Sequence, residues 1–228
     1  MADTATFRPS DRVDAAIAAR RMLDHPFYQA WNEGRLSLED LKEYAKQYFH
    51  HVDVFPKAVS QVHANCPDRA GRKMLAENIA EEEGLEAGRD DHATLWKHFA
   101  YGMGASEDEV ETAKLNPETQ GLIDTFREQS RKSYAAGLGA LYAYESQLPE
   151  VAATKIDGLV NLYEKDDADT LRFFRVHEEA DVEHADVCRG LINKLDADEQ
   201  LEAEAGAAAL CDALNGFLSG MQRTRGIQ

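Results

Sequence analysis

The clearest periodic pattern in the chain lies at residues 38–52, which read LEDLKEYAKQYFHHV. Its apolar residues recur at intervals of three and four, as Leu38, Leu41, Ala45, Tyr48, Phe49 and Val52. This spacing places them along one face of an α-helix. Ser37 stands three residues before Asp40, an arrangement typical of a helix start. The pattern therefore predicts a helix that buries one face against other elements.

The same helical period runs through nearly the whole chain, whereas the strict alternation of a half-buried strand is hard to find. We therefore predict an all-α protein. The expected helices span residues 11–32, 38–65, 68–84, 91–102, 107–113, 117–147, 150–165, 167–194 and 198–220. The connections between them are short, so successive helices should lie side by side in a bundle.

The length of 228 residues favours one large domain over two. We expect a single helical domain over residues 1–228, with flexible ends at 1–10 and 222–228. The segment 196–221 is rich in alanine and glutamate, and we expect it to form a peripheral C-terminal helix.

The charge balance limits the partners of the protein. The chain has 42 acidic and 25 basic residues, a formal net charge of −17, and no dense basic run, which argues against nucleic acid and anionic membranes as partners. No stretch approaches the roughly 18 apolar residues of a membrane span, and residues 1–10 do not resemble a secretion signal. The three cysteines form no CxxC pair, which fits reduced thiols. We predict a cytoplasmic protein.

The stretch most informative about function is residues 173–184, FFRVHEEADVEH. His177, Asp181 and His184 follow one another at steps of four and three, so their side chains leave one helix face within about two turns. A helix presents ligands to a metal ion in this way. The alternative is a solvated acidic face, because further glutamates surround the motif.

Two other segments offer carboxylates and an imidazole. Glu82 ends one predicted helix and His92 opens the next, although three glutamates in a row also fit an exposed helix end. Glu145 follows the almost charge-free stretch 138–144, which should be buried. A buried carboxylate is costly unless it is paired, protonated or bound to a metal. The alternative for Glu145 is a hydrogen bond to a tyrosine or a helix end.

Together these segments form a candidate metal shell of three imidazoles and three carboxylates. Such a mixed nitrogen and oxygen set suits two iron or manganese ions and needs no thiolate. The predicted ligands are Glu82, His92, Glu145, His177, Asp181 and His184.

In this combination of motifs the chain resembles the haem-oxygenase-like diiron oxidases, from His25 to about Leu195. Within them it is most similar to the family of the chlamydial protein associating with death domains. The resemblance implies a haem-oxygenase-like bundle of about seven core helices, often dimeric. It also implies a dinuclear site holding two irons or iron with manganese, used with dioxygen, an external reductant and an unknown electron donor. The interval from Glu82 to His92 is longer than in the closest relatives, so Glu81 stays an alternative to Glu82.

The resemblance further implies an activity, the supply of 4-aminobenzoate for folate synthesis by a self-sacrificing enzyme. Tyr28 matches the family's sacrificed tyrosine, and Lys155 matches the lysine implicated as nitrogen donor. The ordinary alternatives are a core aromatic for Tyr28 and a surface amine for Lys155. Two other functions stay open: a diiron oxidase or oxygenase acting on a free small molecule, and a non-catalytic role in protein interaction.

Overall fold

A computed structural model describes residues 8–227, apart from the side chain of residue 179. Within this part the chain forms eleven α-helices and one short 3-10 helix, with no strand. The helices are α1 (Pro9–Ala18), α2 (Pro26–Asn32), α3 (Leu38–Asn65), α4 (Arg69–Glu82), α5 (His92–Gly102), α6 (Glu107–Glu111), α7 (Pro117–Lys132), α8 (Tyr134–Glu145), α9 (Leu148–Asn161), α10 (Ala168–Ile192) and α11 (Ala197–Arg225). The predicted all-α class is confirmed.

Helix α3 follows the pattern that the sequence predicts. It begins after Ser37, whose hydroxyl accepts from the amide of Asp40 at 3.2 Å while the Asp40 carboxylate accepts from the Ser37 amide at 2.9 Å. The apolar face packs into one hydrophobic core that extends from Val13 to Met221. Only Leu38, in the first turn, departs from the pattern, since it is exposed.

The predicted helix over residues 11–32 is wrong, because the chain breaks it between α1 and α2. A 3-10 helix at Met22–Asp24 fills the gap, and α2 starts afresh at Pro26. Proline has no amide hydrogen to continue a preceding helix but is well suited to a first turn. Nδ1 of His25 caps the new helix by accepting from the amide of Phe27 at 3.1 Å.

The predicted helix over residues 117–147 is also divided. Ser133 adopts an extended conformation with φ −160° and ψ 168°, which ends α7 and starts α8. Its hydroxyl accepts from the amide of Ala136 at 3.1 Å and so caps the second helix. The break changes the direction of the chain, so that α8 runs through the middle of the bundle. There, every residue from Ala135 to Glu145 is buried.

Helix α11 is not the peripheral element that its composition suggests. It packs directly on α8, and an added Cβ at Gly139 would lie 2.0 Å from the carbonyl oxygen of Ala203. The small residues that made the segment look exposed are what allow this close approach. The helix also continues to Arg225, whose guanidinium pairs with Asp40 at 2.7 Å, so residues 222–225 are helical rather than a frayed tail.

At the other end, α1 includes positions 9 and 10, and Ser10 is fully buried. The predicted flexibility of residues 1–7 and 228 lies outside the described residues. Within residues 8–227, no helix combines the length and the hydropathy needed to cross a bilayer.

Replacing Gly139 with alanine is expected to destabilise the protein by about 3 kcal/mol, because the new methyl group would overlap the α11 backbone. Gly121 is the matched control, since no other atom lies within 4 Å of the corresponding Cβ position. There, alanine should stabilise helix α7 by about 0.5–1 kcal/mol. Urea unfolding of both variants measures the difference, and equal stabilities would contradict this packing.

Candidate metal centre

Four helices converge on the predicted metal shell. Glu82 is the last residue of α4 and His92 is the first of α5, while Glu145 is the last of α8. Helix α10 contributes His177, Asp181 and His184 from one face. All six side chains are buried, with no more than 6% of any residue exposed. The alternatives of an exposed helix end at Glu82 and a solvated acidic face at the α10 motif are therefore wrong.

One half of the cluster is already gathered around a common point. Glu82, His92 and His177 each offer a ligand atom, and these atoms lie within 4.8 Å of one another. Nδ1 of His177 lies 2.7 Å from the carbonyl oxygen of Phe173. Because a carbonyl only accepts, this nitrogen carries the proton, and Nε2 is left with the free lone pair. That orientation is the one that a metal-binding histidine needs.

The other half contains Glu145, Asp181 and His184. Nδ1 of His184 lies 3.6 Å from Oδ1 of Asp181. Glu145 is held by two neighbours, since its Oε1 accepts from Nδ2 of Asn78 at 2.6 Å and its Oε2 accepts from the thiol of Cys188 at 3.1 Å. Sequence reasoning did not identify Asn78 or Cys188. The one available signal was the position of Cys188, one helix turn beyond His184.

Several polar atoms at the centre have no hydrogen-bond partner among the described residues. They include Nδ1 of His92, Nδ1 of His184 and Oδ2 of Asp181. The His92 nitrogen is only 2.8 Å from Oε2 of Glu82, yet the pair does not have hydrogen-bond geometry. A buried polar atom without a partner costs about 1–3 kcal/mol. Atoms of this kind that face one another suit a shared cation, so the residues present fit a metal site.

The electrostatics of the cluster also fit a metal site. Burial raises the pKa of Glu82 to about 8, against the opposing charge of His184. Burial also raises the pKa of Glu145 and of Asp181 above their usual values. For His92, burial lowers the pKa to about 4. Without a cation, then, this interior disfavours ionised carboxylates, and such strongly shifted values are typical of functional sites.

His184 differs from the other two histidines. Burial acts to lower its pKa, but the nearby carboxylates of Asp181 and Glu145 outweigh burial and raise the pKa to about 9. His184 is therefore the protonated histidine of the metal-free cluster at neutral pH.

Near neutral pH, metal binding is expected to release protons, those of Glu82 and His184 among them, because ligands must lose their protons to coordinate. Glu82, with a pKa of about 8, and His184, with a pKa of about 9, both hold a proton at that pH. Metal affinity should therefore rise with pH and level off once the pH exceeds both values. Calorimetric titration with cobalt(II) in buffers of different ionisation enthalpy measures the release. An affinity that does not change between pH 6 and 9 would contradict these protonation states.

Tyr28 and Lys155 lie together in the core, on α2 and α9, with 2% and 3% of each residue exposed. The Lys155 nitrogen lies 5.7 Å from the ring centre of Tyr28 and is hydrogen-bonded to the hydroxyl of Tyr44. Burial lowers the pKa of Lys155 well below its usual value, which favours a neutral amine. The alternative of a surface amine is therefore wrong.

Aromatic rings surround this amine on all sides. Six ring centres lie 4.4–5.7 Å from the Lys155 nitrogen, those of Tyr28, Trp31, Tyr44, Tyr48, Trp96 and Phe174. A small cavity is lined by both Lys155 and His177, and Tyr48 and Tyr144 complete its polar wall with hydroxyls 3.4 Å apart. The lysine and the metal cluster therefore border the same space. Sequence analysis treated Tyr48 only as a position on the apolar face of α3.

The chain belongs to the family of iron-containing redox enzymes, whose family model matches residues 42–215. It is therefore an enzyme of that class, as predicted. Among curated proteins it is similar to the 4-aminobenzoate synthase of Nitrosomonas europaea, with 40% identity over 96% of this chain and 92% of that protein. The 4-aminobenzoate synthase of Chlamydia trachomatis is 39% identical over 91% of this chain and 89% of that protein. The predicted resemblance is confirmed.

Solved structures agree on the fold. A TenA homologue from Pseudomonas syringae has a TM-score of 0.78 at 19% identity, covering 94% of this chain and 91% of that one. A CADD-like protein of unknown function from Nostoc punctiforme also has a TM-score of 0.78, at 21% identity, covering 95% and 96% of the two chains. A domain with a haem-oxygenase-like fold from Shewanella denitrificans has a TM-score of 0.68, at 16% identity, covering 96% and 89%. The predicted haem-oxygenase-like bundle is confirmed.

Proposed function

We propose that this enzyme makes 4-aminobenzoate from its own Tyr28, using dioxygen, an external reductant and two metal ions, either two irons or iron with manganese. The relatives named 4-aminobenzoate synthase support the product. The family of iron-containing redox enzymes supports iron. The source of the aromatic ring and the number of ions are argued from the residues of this chain.

Two ions suit the cluster by charge and by donor number. Glu82, His92 and His177 would hold one ion, and Glu145, Asp181 and His184 would hold the other. Three carboxylates in an otherwise apolar interior need compensating positive charge, which two divalent cations supply. When bound, such ions would provide the activation of dioxygen that an oxidation at this site requires.

One observation carries the proposal of self-sacrifice: the ring of Tyr28 and the neutral amine of Lys155 are buried together, 5.7 Å apart. The cavity between Lys155 and His177 has room for about one water molecule. A free aromatic acid would not fit there. Three tyrosine rings, those of Tyr28, Tyr44 and Tyr48, lie within 5.7 Å of the Lys155 nitrogen, so the protein itself supplies a ring and an amine of the right kind, and Tyr28 is the one that the resemblance favours.

The chemistry of tyrosine matches the product. Tyrosine has a benzene ring with one carbon and one oxygen in para positions, and 4-aminobenzoate has a carboxylate and an amine in those positions. Conversion of Tyr28 would break its Cα–Cβ bond and oxidise Cβ to the carboxylate. The phenolic C–O bond would break, its oxygen leaving as water, and the ring carbon would bond to Nζ of Lys155. The Cε–Nζ bond of Lys155 must then break, by oxidation of Cε to an imine that water hydrolyses to an aldehyde, which leaves the amine on the ring. Dioxygen is the oxidant and is reduced to water. The external reductant supplies the electrons for this reduction that the protein's own side chains do not provide.

The protein's own groups prepare these atoms. Burial raises the pKa of the Tyr28 phenol well above its usual value, so the hydroxyl keeps its proton beside Tyr44. Tyr44 also contacts the Lys155 amine, and its hydroxyl thereby holds the two reacting side chains near each other. The neutral amine has a lone pair, which a charged ammonium lacks. The aromatic rings around it leave little room for water.

A second candidate function is oxidation of a free small molecule by the same centre. It is favoured by an open cleft of about 530 Å³, which is lined by Glu81, His92 and Arg172 and reaches the predicted metal shell from the solvent. A cleft of this size can hold a small organic molecule.

Complementation tests the proposed function. A strain unable to make 4-aminobenzoate should grow when it expresses this protein, and it should not grow with Glu145→Gln, which removes a buried carboxylate from the cluster. Glu150→Gln is the matched control, because Glu150 is an exposed carboxylate that pairs with Arg21 on the surface. Growth with Glu145→Gln would contradict the need for Glu145 in the metal centre, and no growth with the wild-type protein would favour a non-catalytic role such as protein interaction.

A further inference from the structure

Glu81 contacts the cluster from outside it. Its Oε2 lies 3.1 Å from Nε2 of His184, whereas the next residue, Glu82, is turned inward toward His92. Consecutive residues of a helix point about 100° apart, and here the two carboxylates face different histidines. The structure therefore separates the two glutamates that the sequence left as alternatives.

The contact defines the orientation of the His184 ring. The contact at 3.1 Å between Nε2 of His184 and the Glu81 carboxylate has hydrogen-bond geometry, with the ring nitrogen as donor and the carboxylate oxygen as acceptor. The opposite nitrogen, Nδ1, faces Asp181 at 3.6 Å and has no hydrogen-bond partner among the described residues. Nδ1 is therefore the nitrogen that is free to face an ion.

Glu81 lies on the boundary between the cluster and the solvent. About a third of its side chain is exposed, at 33%, and it forms part of the wall of the open cleft. The two arginines of that cleft are engaged with other acids, Arg172 with Asp90 at 2.6 Å and Arg89 with Glu86 at 2.9 Å. In the described structure, then, the Glu81 carboxylate is directed at His184 rather than at an arginine of the cleft.

We propose that Glu81 is a positioning residue, not a ligand: it holds Nε2 of His184 so that Nδ1 is presented to the ion bound by Glu145, Asp181 and His184. This inference rests on the metal centre of the proposed function. Histidines that bind metals commonly donate their other ring hydrogen to a carboxylate, which fixes the ring and makes the ligand nitrogen more basic. Loss of such a partner typically weakens metal binding by about 10–100-fold.

Cobalt(II) titration of the metal-free protein tests the inference, followed by calorimetry and visible absorption. Wild type should bind two ions. Glu81→Ala should weaken one of the two binding events by about 10–100-fold and leave the other unchanged. Glu81→Gln retains an oxygen acceptor and should recover part of the loss. Glu83→Ala is the matched control, since Glu83 is an exposed neighbour of the same charge, and it should bind as wild type does.

A double-mutant cycle separates positioning from a general structural effect. In a His184→Ala background, Glu81→Ala should cause no further loss, because its partner is already gone. Unchanged cobalt binding in Glu81→Ala would overturn the inference alone. So would complete loss of one ion in both the alanine and the glutamine variants, which would make Glu81 a ligand. A wild-type protein that binds no cobalt would contradict the proposed function as well.

Discussion

Replacing Tyr28 with phenylalanine is expected to abolish 4-aminobenzoate formation while metal binding stays at the wild-type level. The substitution removes only the hydroxyl, which is the atom that defines the para position where nitrogen must enter. Tyr28 lies on α2, which contributes none of the predicted ligands, so the cluster should be unaffected. Loss of the polar interaction of the Tyr28 hydroxyl with Tyr44 should lower the free energy of unfolding by at most about 0.5–1.5 kcal/mol.

Tyr163→Phe is the matched control for this variant. The Tyr163 hydroxyl donates to the carbonyl oxygen of Trp31 at 3.1 Å, and its ring packs against the same tryptophan that borders Lys155. It should lose a similar amount of stability and keep full product formation. Product and metal content are measured together, by chromatography and elemental analysis. Product at the wild-type level from Tyr28→Phe would contradict the role given to Tyr28.

Replacing Lys155 with methionine is expected to abolish product formation and, at the same time, to stabilise the fold. Methionine has a similar length and fills the aromatic cage without an amine. Burying a polar group with incomplete compensation costs about 1–3 kcal/mol, and this cost should disappear in the variant. The expected changes in activity and stability thus have opposite signs, which simple loss of folding cannot produce.

The gain in stability should depend on pH in a defined direction. Burial lowers the pKa of Lys155 in the folded protein, whereas the unfolded chain keeps the usual value of 10.5. Between these values the unfolded state binds the extra proton, so the wild-type protein gains stability as pH rises. The advantage of Lys155→Met should therefore be larger at neutral pH than in alkaline solution and shrink as pH approaches 10.5. Thermal unfolding at several pH values measures it, and an advantage that grows with pH would contradict a neutral buried amine.

Periodicity and spacing were sufficient to predict the fold class and the cluster members on α10, whereas the choice between Glu81 and Glu82 stayed open. His177, Asp181 and His184 follow one another at steps of four and three. This spacing places them on one helix face, whichever elements that helix packs against. The apolar stretch before Glu145 likewise predicts burial without knowledge of neighbours. The structure brings all six predicted residues together, and their role as ligands stays a prediction.

Other features depend on contacts between distant segments, which a single sequence does not encode locally. Asn78 and Cys188 approach Glu145 only because α4 and α10 meet at the end of α8. The alanine-rich C-terminal segment resembles an exposed helix until its small residues are seen against Gly139. The breaks at Pro26 and Ser133 did have local signals, a proline and a capping serine. The prediction nevertheless continued both helices, because the apolar residues on either side keep the helical spacing.

The source of the aromatic ring is tested most directly by isotope labelling. Protein produced with ring-labelled tyrosine would be loaded with iron, alone or with manganese, and exposed to dioxygen and a reductant in unlabelled buffer. Self-sacrifice predicts 4-aminobenzoate with a fully labelled ring, at no more than about one per chain, and a matching loss of mass at Tyr28. Unlabelled product, or many turnovers from an intact chain, would contradict it.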